Sequence, residues 1–384
     1  MSVILLGLCV LCAVAVAYPY VLYPLILARL PERPLQRQGQ GERPGRQPRL
    51  SLAFCAHDEA AVVPAKIENL RQLRAVEPDL EILAYSDASS DATVELLRAE
   101  QSWIRVFPAD ERHGKSHGMS VLVQEARGDV VIFTDANVMV DPAALAALRE
   151  VFSDRQVGCV CGNLIYTNPG DGATAAAGSL YWRLEERIKK LESRCGSTVG
   201  ADGSLFAVRR DLYPPVPADI IDDMFVSLSI LCDGYRVVRD PAVVAYERAA
   251  TDSADEFKRK IRIACQAFNC HRLLWPRLKR LPPLDLFKYV SHKVLRWFGI
   301  YFLIAGILAA VGWLLLQGLG GVALAGLVVG LLFYRAGRAG VPALLGKAVE
   351  ILRAMAATGI GLLRSRRGER FQTWDVPASS RKAG

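Results

Sequence analysis

Residues 129–135 read Asp-Val-Val-Ile-Phe-Thr-Asp, an apolar run that begins and ends with a carboxylate. A short run of β-branched and aromatic residues with polar boundaries is typical of a buried β-strand. Runs of the same kind are found elsewhere in the chain, at 50–56, 80–86, 103–107 and 157–162. We therefore predict that residues 129–135 are one strand of a larger sheet.

Helical patterns alternate with these strands. They cover about 60–75, 91–101, 114–127 and 142–152. Strands that alternate with helices over short connections predict an α/β fold, in which helices flank an open, mainly parallel sheet. Ligands of such sheets bind beyond the carboxyl ends of the strands. We therefore expect the functional site at those ends, where several acidic residues of this chain fall.

The composition favours a membrane protein. Of the 384 residues, 52% are hydrophobic, and 47 Lys and Arg outnumber 39 Asp and Glu, which gives a net charge of +8. Basic residues beside apolar runs indicate contact with an anionic membrane face. The chain has no helix-turn-helix, RNA-binding or zinc-finger signature, so we expect no nucleic-acid partner. The nine cysteines are scattered along the chain, which favours buried, reduced thiols.

The N-terminal segment predicts a membrane anchor. Residues 3–28 carry no charge before Arg29, and a run of this length can span a bilayer. A cleaved signal peptide is the alternative, but the run is long for one and no basic residue precedes it. We predict a transmembrane helix at 1–28 and a flexible basic, Pro/Gly-rich linker at 29–49. By the positive-inside rule, the domain that follows is cytoplasmic.

Two more apolar stretches lie near the C-terminus. Residues 298–316 and 319–334 are separated by a glycine-rich hinge, which predicts two transmembrane helices within 298–335. We predict that residues 276–297 form an interfacial connector and that 336–384 form an interfacial amphipathic helix with a basic tail. A third span at 341–363 is the alternative. The protein is thus expected to be multi-pass, in a bacterial-type cell membrane.

Acidic residues follow two of the predicted strands. Asp87 begins a turn of small residues that ends at Asp91, which is placed to cap the next helix. Asp135 and Asn137 point to the same side if the backbone stays extended. Two oxygen ligands at this spacing suit a hard divalent cation that also holds phosphate. Ordinary turns are the alternative for both stretches.

Further candidates lie outside these turns. Asp222 and Asp223 interrupt an apolar run, and burial in a cleft would raise the pKa of Asp223 so that it can act as a general base. The alternative is a helix N-terminal acidic pair, which the helix dipole stabilises. Lys115 begins a predicted helix and can attract phosphate there. Gly203 lies in a glycine-rich loop that lets the backbone approach a ligand closely.

In their order along the chain, these motifs resemble those of glycosyltransferase family 2, whose members have a GT-A fold and include cellulose and hyaluronan synthases. The resemblance covers residues 50–275, which we predict to be the catalytic domain. The matching positions are Asp58-Glu59, Asp87 to Asp91, Gly114-Lys115, Asp135 to Asn137, Asp222-Asp223 and Gly234-Tyr235-Arg236-Val237. The family's metal motif is Asp-x-Asp, so Asn137 replaces its second acid.

The resemblance implies an inverting transferase that uses a nucleotide-diphosphate sugar. Asp223, beside Asp222, would deprotonate the acceptor hydroxyl. Asp135, with Asn137, would hold Mg²⁺ or Mn²⁺ on the diphosphate. The remaining predicted contacts are with the nucleotide sugar, by Asp58, Glu59, Asp87, Lys115 and Asp135, and with the acceptor or phosphate, by Gly203 and Arg262. The implied acceptor is a membrane-associated glycan or lipid.

One motif departs from the processive members of the family. They carry Gln-x-x-Arg-Trp, whereas this chain has Arg259 and Ile263 at the Gln and Trp positions and keeps Arg262. Residues 293–297 imitate the motif at the membrane entry, where we expect Arg296 and Trp297 to be interfacial anchors. A processive polysaccharide synthase remains an alternative, as does a membrane-tethered protein that binds nucleotide sugars without turnover.

Overall fold

The computed structural model describes residues 1–36, 47–168, 170–171, 173–249, 251–339 and 343–373. Within these residues, eight strands form one sheet. The strands are β1 (Leu50–Ala56), β2 (Glu81–Asp87), β3 (Ile104–Ala109), β4 (Val130–Asp135), β5 (Met139–Val140), β6 (Val157–Tyr166), β7 (Leu205–Arg209) and β8 (Arg236–Glu247). Every residue of β1 is buried, as expected of a strand covered on both faces.

The α-helices lie between the strands and at both ends of the chain. They are α1 (Ser2–Ala17), α2 (Leu22–Arg29), α3 (Val63–Val76), α4 (Thr93–Arg98), α5 (Lys115–Glu125), α6 (Ala143–Val151), α7 (Ala173–Arg194), α8 (Asp222–Cys232), α9 (Ser253–Leu278), α10 (Pro283–Tyr289), α11 (Leu295–Trp297), α12 (Gly299–Leu316), α13 (Gly320–Arg338) and α14 (Ala343–Arg366). A π-helix at Val290–Val294 joins α10 to α11, and a 3₁₀ turn at Arg210–Leu212 follows β7.

The strand order is β3-β2-β1-β4-β7-β6-β8-β5. Four neighbouring pairs are parallel: β3 with β2, β2 with β1, β1 with β4, and β6 with β8. Both pairs of β7 and the pair between β5 and β8 are antiparallel. The predicted mainly parallel α/β fold is confirmed, and so are the five predicted strands and the helices between them. Both antiparallel additions, β5 and β7, lie outside the runs that we used for the prediction.

The N-terminal segment forms two helices, because the chain bends by 58° between α1 and α2, and its membrane crossing stays a prediction. Pro19 lies in the bend and has no N–H to donate to the preceding turn. After the bend, Tyr23 and Leu27 are fully buried in a cluster with Ile188 of α7. Helix α2 is therefore packed against the domain, and α1 alone continues away from it.

Two helices of the described chain, α12 and α13, are long and apolar enough to cross a membrane, and the bent pair α1–α2 would make a third if it forms one span. Helix α1 packs against α12, since a Cβ on Gly306 would lie 3.1 Å from the Cβ of Cys12. The predicted linker is described only at 29–36 and 47–49, and its residues 37–46 lie outside the described residues, as do residues 374–384 of the predicted basic tail.

Helix α14 runs along α9 and contacts α12. Gly361 is close enough to α9 that a Cβ there would lie 2.6 Å from the Cβ of Ala264. The hydroxyl of Tyr301 in α12 donates to the carbonyl of Gly359 at 2.8 Å. This helix therefore connects the domain with a candidate membrane span. The interfacial placement of 336–384 stays a prediction.

The second half of the segment that we predicted as an interfacial connector, 276–297, packs against the domain, and none of residues 285–297 is exposed. Both ring nitrogens of His292, which is fully buried, lie 2.8 Å from carboxylate oxygens, those of Glu185 and Glu192 in α7. Arg296 pairs with Glu185. Trp297 packs edge-on against Phe268 of α9. Both side chains therefore contact the domain, and the role of Arg296 and Trp297 as interfacial anchors stays a prediction.

Candidate active site

A cavity of about 250 Å³ opens at the carboxyl ends of β1, β4, β6 and β8, where the fold class predicted a site. The residues that line it are Cys55, Glu59, Lys115, Ser116, Asp135, Ala136, Asn137, Tyr166, Gly203, Ser204, Ile221, Asp222, Asp223, Glu247, Arg248, Ala249, Arg259, Arg262, Ile263, Gln266 and Gln372. The cavity thus brings together most of the predicted site residues.

Lys115 and Asp135 form an ion pair in this cavity. Asp135 ends β4, and Lys115 begins α5 directly after Gly114, whose φ is +89°. The Nζ of Lys115 donates to Oδ1 of Asp135 at 2.6 Å and to the carbonyl of Gly203 at 3.3 Å. Burial lowers the pKa of Lys115, but the negative charges of Asp135 and the Asp222-Asp223 pair outweigh burial and raise it above its ordinary value. The cavity therefore contains a fixed positive charge.

Asp222 and Asp223 lie in the first turn of α8, and both line the cavity. Burial, followed by the charge of Asp222, raises the pKa of Asp223 to about 7, although Lys115 lowers it. A carboxylate with this pKa accepts a proton far more readily than an exposed one. Oδ2 of Asp222 is buried without a hydrogen-bond partner among the described residues. This oxygen is available to a ligand hydroxyl or cation.

Gly203 allows the side chains of Asp223 and Lys115 to lie close together. A Cβ at this position would lie 3.0 Å from Oδ2 of Asp223 and 3.3 Å from Nζ of Lys115. Any larger side chain would have to displace one of these two groups. The backbone of this loop thus lies close to two charged side chains, and its approach to a ligand stays a prediction.

Glu247 belongs to the cavity but was missed by the sequence analysis. It ends β8, and its carboxylate accepts hydrogen bonds from Nδ2 of Asn137 at 3.1 Å and from Oγ of Ser204 at 3.2 Å. Burial and the charge of Asp135 raise the pKa of Glu247 to about 7. The sequence offered one signal: Glu247 ends a valine-rich run, as Asp87 and Asp135 end their apolar runs.

Helix α9 supplies the opposite wall of the cavity. Arg259, Arg262 and Ile263 line it, so the three positions of the Gln-x-x-Arg-Trp motif all face the site. Arg259 donates two hydrogen bonds to Glu256, one helical turn earlier. The motif positions are therefore in place even though two of their side chains differ.

Asp58 and Asp87 are not among the residues that line the cavity. Asp87 is fully buried, and its carboxylate accepts hydrogen bonds from the backbone N–H of His113 at 2.7 Å and of Gly114 at 3.1 Å. The carboxylate of Asp58 accepts from the N–H of Ser90 at 2.7 Å. Asp87 thus holds the loop that carries Lys115. Direct contact of Asp58 and Asp87 with a nucleoside stays a prediction.

The C-terminal segment forms one edge of the cavity, which the sequence analysis did not predict. Gln372 lines the cavity, and its Nε2 donates to the carbonyl of His113 at 3.1 Å. Gln266 of α9 donates to the carbonyl of Phe371 at 2.8 Å. A Cβ on Gly114 would lie only 2.1 Å from the carbonyl oxygen of Gln372, so a glycine is required at this contact.

The chemistry of the side chains fits a divalent cation that a ligand helps to bind. In the described part of the chain, no three His, Cys, Asp or Glu side chains are grouped to hold a metal ion. Asp135 and Asn137 nevertheless offer oxygen ligands in the cavity, and Mg²⁺ is commonly bound by one or two carboxylates together with phosphate oxygens. The rings of His113 and His117 contact each other at a tilt of 41° and do not line the cavity.

A second cavity, of about 330 Å³, contains none of the predicted site residues. The Gly-Tyr-Arg sequence at 234–236 lines it, together with Arg277 and Arg280 of the α9 end. Arg236 donates to the carbonyls of Arg33 and Gly196 and so joins the start of β8 to the segment after α2. We assign a structural role to this sequence.

The sheet topology and the cavity define a GT-A type α/β domain. The sequence model of Glycosyl transferase family 2 matches residues 51–214. This match covers less than half of the chain and agrees with the family that the motifs resemble. A solved structure of the mannosyltransferase PcManGT from Pyrobaculum calidifontis, in complex with GDP-Man and Mn²⁺, superposes with a TM-score of 0.72 at 21% identity and covers 94% of this chain and 99% of that one. This likeness confirms the GT-A fold.

Curated relatives match over a smaller part of the chain. An N-acetylglucosaminyltransferase of Rhizobium meliloti (strain 1021) is 22% identical over 197 residues, which are 48% of this chain and 46% of the relative. A poly-β-1,6-N-acetyl-D-glucosamine synthase of Staphylococcus aureus (strain COL) is 23% identical over 222 residues, 56% of this chain and 53% of the relative. The matched part of the chain thus spans about half the length of these relatives.

Proposed function

We propose that the protein is an inverting glycosyltransferase that moves a sugar from a nucleotide-diphosphate sugar to a membrane-associated glycan or lipid. One observation carries the proposal: a carboxylate with a pKa of about 7, Asp223, shares a cavity with a partly buried cation, Lys115, and with the oxygen ligands of Asp135 and Asn137. The family match and the GT-A fold support it.

Asp223 is the proposed general base. It takes the proton of the acceptor hydroxyl, whose oxygen then attacks the anomeric carbon of the donor. The bond from that carbon to the phosphate oxygen breaks, and the nucleoside diphosphate leaves with the bonding electrons. A base whose pKa is near the working pH is deprotonated often enough to act and still basic enough to accept the proton. Asp222 is the proposed partner that keeps the pKa of Asp223 high.

The departing diphosphate is negatively charged, and two groups of residues compensate for its charge. Lys115 and Arg262 supply fixed positive charge in the cavity. Asp135 and Asn137 would hold Mg²⁺ or Mn²⁺, which when bound lowers the charge of the diphosphate. Glu59 lines the same cavity and, with Asp58 and Asp87 behind its wall, is proposed to position the nucleoside.

The membrane assignment is part of the proposal. Helices α12 and α13 meet the length and apolarity needed for a span, and α14 links α12 to α9, which forms a wall of the cavity. Arg335 and Arg338 end α13, and Arg29 and Arg33 follow the N-terminal helices. Basic residues at these ends favour a multi-pass protein whose catalytic domain faces the cytoplasm. A lipid or membrane-bound glycan acceptor suits this arrangement.

Processive synthesis is the second candidate, and the position of Arg262 favours it. Arg262 faces the cavity as the arginine of the processive motif would, but the position of the motif's tryptophan is occupied by Ile263. An isoleucine offers no aromatic face on which an acceptor sugar could stack. We therefore prefer transfer of one or a few sugars over polymer synthesis.

The proposal is tested with purified full-length protein in detergent or native membranes. A panel of nucleotide sugars, each with Mn²⁺, is screened for release of the nucleoside diphosphate and for sugar that partitions into organic solvent. The wild type is expected to release nucleotide from one donor class. Asp223→Asn should abolish transfer while donor binding remains largely intact. Equal loss of binding and transfer would contradict the role of Asp223, and donor binding without any turnover would favour a non-catalytic binding protein.

A further inference from the structure

We propose that Glu247 is the second carboxylate of the divalent-metal site, in place of the acid that Asn137 replaces in the Asp-x-Asp motif. This inference rests on the proposed function, because it specifies how the nucleotide-diphosphate site binds its cation. Two carboxylates and one amide would then face the diphosphate. The cation-binding residues would come from the ends of two strands, β4 and β8, which are far apart in the sequence.

The position of Glu247 is fixed from both sides. Asn137 donates to Oε1 at 3.1 Å, and Ser204 donates to Oε2 at 3.2 Å. Both donors are neutral, so they orient the carboxylate without neutralising its charge. Asn137 is itself two residues after Asp135, and all four side chains line the same cavity. The carboxylate is therefore preorganised on the side of the cavity where Asp135 lies.

Asn137 alone is a weak substitute for an acid. Its Nδ2 donates to Glu247, and its oxygen carries no net charge, whereas Mg²⁺ and Mn²⁺ prefer charged oxygen ligands. The hydrogen bond from Asn137 instead orients Glu247, in the way that neighbouring groups orient metal ligands in other sites. In this arrangement Asn137 positions Glu247, and Glu247 supplies the negative charge that an acid at position 137 would have carried.

Two further observations point to a cation in this cavity. Oδ2 of Asp222, a side chain that is 95% buried, has no hydrogen-bond partner among the described residues. Arg259, a cation that also lines the cavity, interacts electrostatically with Glu247 but donates hydrogen bonds to Glu256. Each carboxylate oxygen of Glu247 accepts one hydrogen bond, from Asn137 or Ser204, and keeps a lone pair for a cation. The solved GT-A structure named above contains Mn²⁺.

The test measures Mn²⁺ binding directly, by the electron paramagnetic resonance signal of free Mn²⁺, with full-length protein in detergent. Mn²⁺ is titrated alone, with UDP and with GDP, and each titration is corrected with a protein-free sample. We compare the wild type with Glu247→Gln, Asp135→Asn and the double variant Glu247→Gln/Asn137→Asp. Glu68→Gln, on the exposed side of α3, is the matched control, since its side chain is 60% exposed.

Glu247→Gln should weaken Mn²⁺ binding at least about tenfold, a loss typical of a damaged metal site. The double variant should recover most of the affinity, because it returns an acid to position 137. Glu68→Gln should bind as the wild type does. Unchanged Mn²⁺ binding in Glu247→Gln, or a wild type that leaves Mn²⁺ free under all three conditions, would overturn the proposal. A different result would contradict the proposed function alone. In that case Mn²⁺ would bind through Glu247, but the protein would release no nucleotide from any donor.

Discussion

The ammonium of Lys115 lies 2.6 Å from Oδ1 of Asp135, so the first residue of α5 and the last residue of β4 meet in the cavity. The glycine before Lys115 adopts a φ of +89° and lets the chain turn sharply into α5. The ion pair also keeps a carboxylate and a cation oriented before any ligand arrives. Such preorganised charge is the main source of electrostatic stabilisation in enzymes.

Replacement of Lys115 by methionine should lower kcat/KM by about 10²–10³-fold, because the departing diphosphate loses a fixed positive charge. Lys115→Arg keeps the charge but not its compact geometry, so its loss should be smaller. The measurement is nucleotide release under steady-state conditions with the donor identified by the panel. If Lys115→Met retained the kcat/KM of the wild type, Lys115 would have no role in compensating the leaving group.

The rate of transfer should depend on pH through Asp223. Because the pKa of Asp223 is raised to about 7, the base is protonated below that pH, and kcat/KM should fall as the pH drops from 8 to 6. A pH profile of kcat/KM for the wild type measures this decrease. A profile that stays flat between pH 8 and 5.5 would be inconsistent with Asp223 as the base.

The raised pKa of Asp223 should also make the folded protein less stable as the pH rises, whereas an ion-paired acid would make it more stable. The folded protein holds the proton of Asp223 up to a pKa of about 7, whereas the unfolded chain releases it near the ordinary value of 3.8. Stability therefore falls as the pH rises between these two values. Asp223→Asn removes the charge, so its melting temperature should exceed that of the wild type at pH 8 and approach it at pH 4.5. Thermal unfolding at the two pH values checks the difference.

Gly203→Ala should reduce transfer while the fold is retained. Its Cβ would lie 3.0 Å from Oδ2 of Asp223, so the base or the neighbouring Lys115 must shift. A displacement of this size in a catalytic group commonly costs on the order of 10²-fold in rate. Gly178→Ala, in α7, is the control, because no atom lies within 4 Å of its new Cβ. Equal activities of the two variants would show that Asp223 tolerates the shift.

The sequence predicted the parts of the fold that depend on local patterns. The strands β1 to β4 and the helices between them follow from apolar runs and their periodicity. Asp135 was recognisable because it ends such a run, Lys115 because it begins a predicted helix, and Asp223 because it interrupts an apolar stretch. The pairing of β7 between β4 and β6 was not predictable, since antiparallel insertion depends on contacts between distant segments.

Two site residues were missed for a similar reason. Glu247 reaches the site because β8 is parallel to β6 and ends at the same edge of the sheet, which only the strand order reveals. Gln372 reaches it because α14 packs along α9 and directs the following residues over the cavity. The bend after α1 was marked by Pro19, but the burial of Tyr23 against α7 depended on tertiary packing.

Tyr23 should anchor α2 to the domain. Its side chain is fully buried, and its hydroxyl donates to Oε1 of Glu192 at 2.5 Å. Tyr23→Phe removes this donor and leaves a buried carboxylate with fewer partners, a change that typically costs about 1–3 kcal/mol. Thermal unfolding in detergent should therefore show a lower melting temperature, while Tyr334→Phe, on an exposed face of α13, should not change it. Because Tyr23 does not line the cavity, the transfer rate of the folded variant should equal that of the wild type. An unchanged melting temperature would mean that the remaining partners of Glu192, among them Thr198 and His292, compensate for the lost hydroxyl.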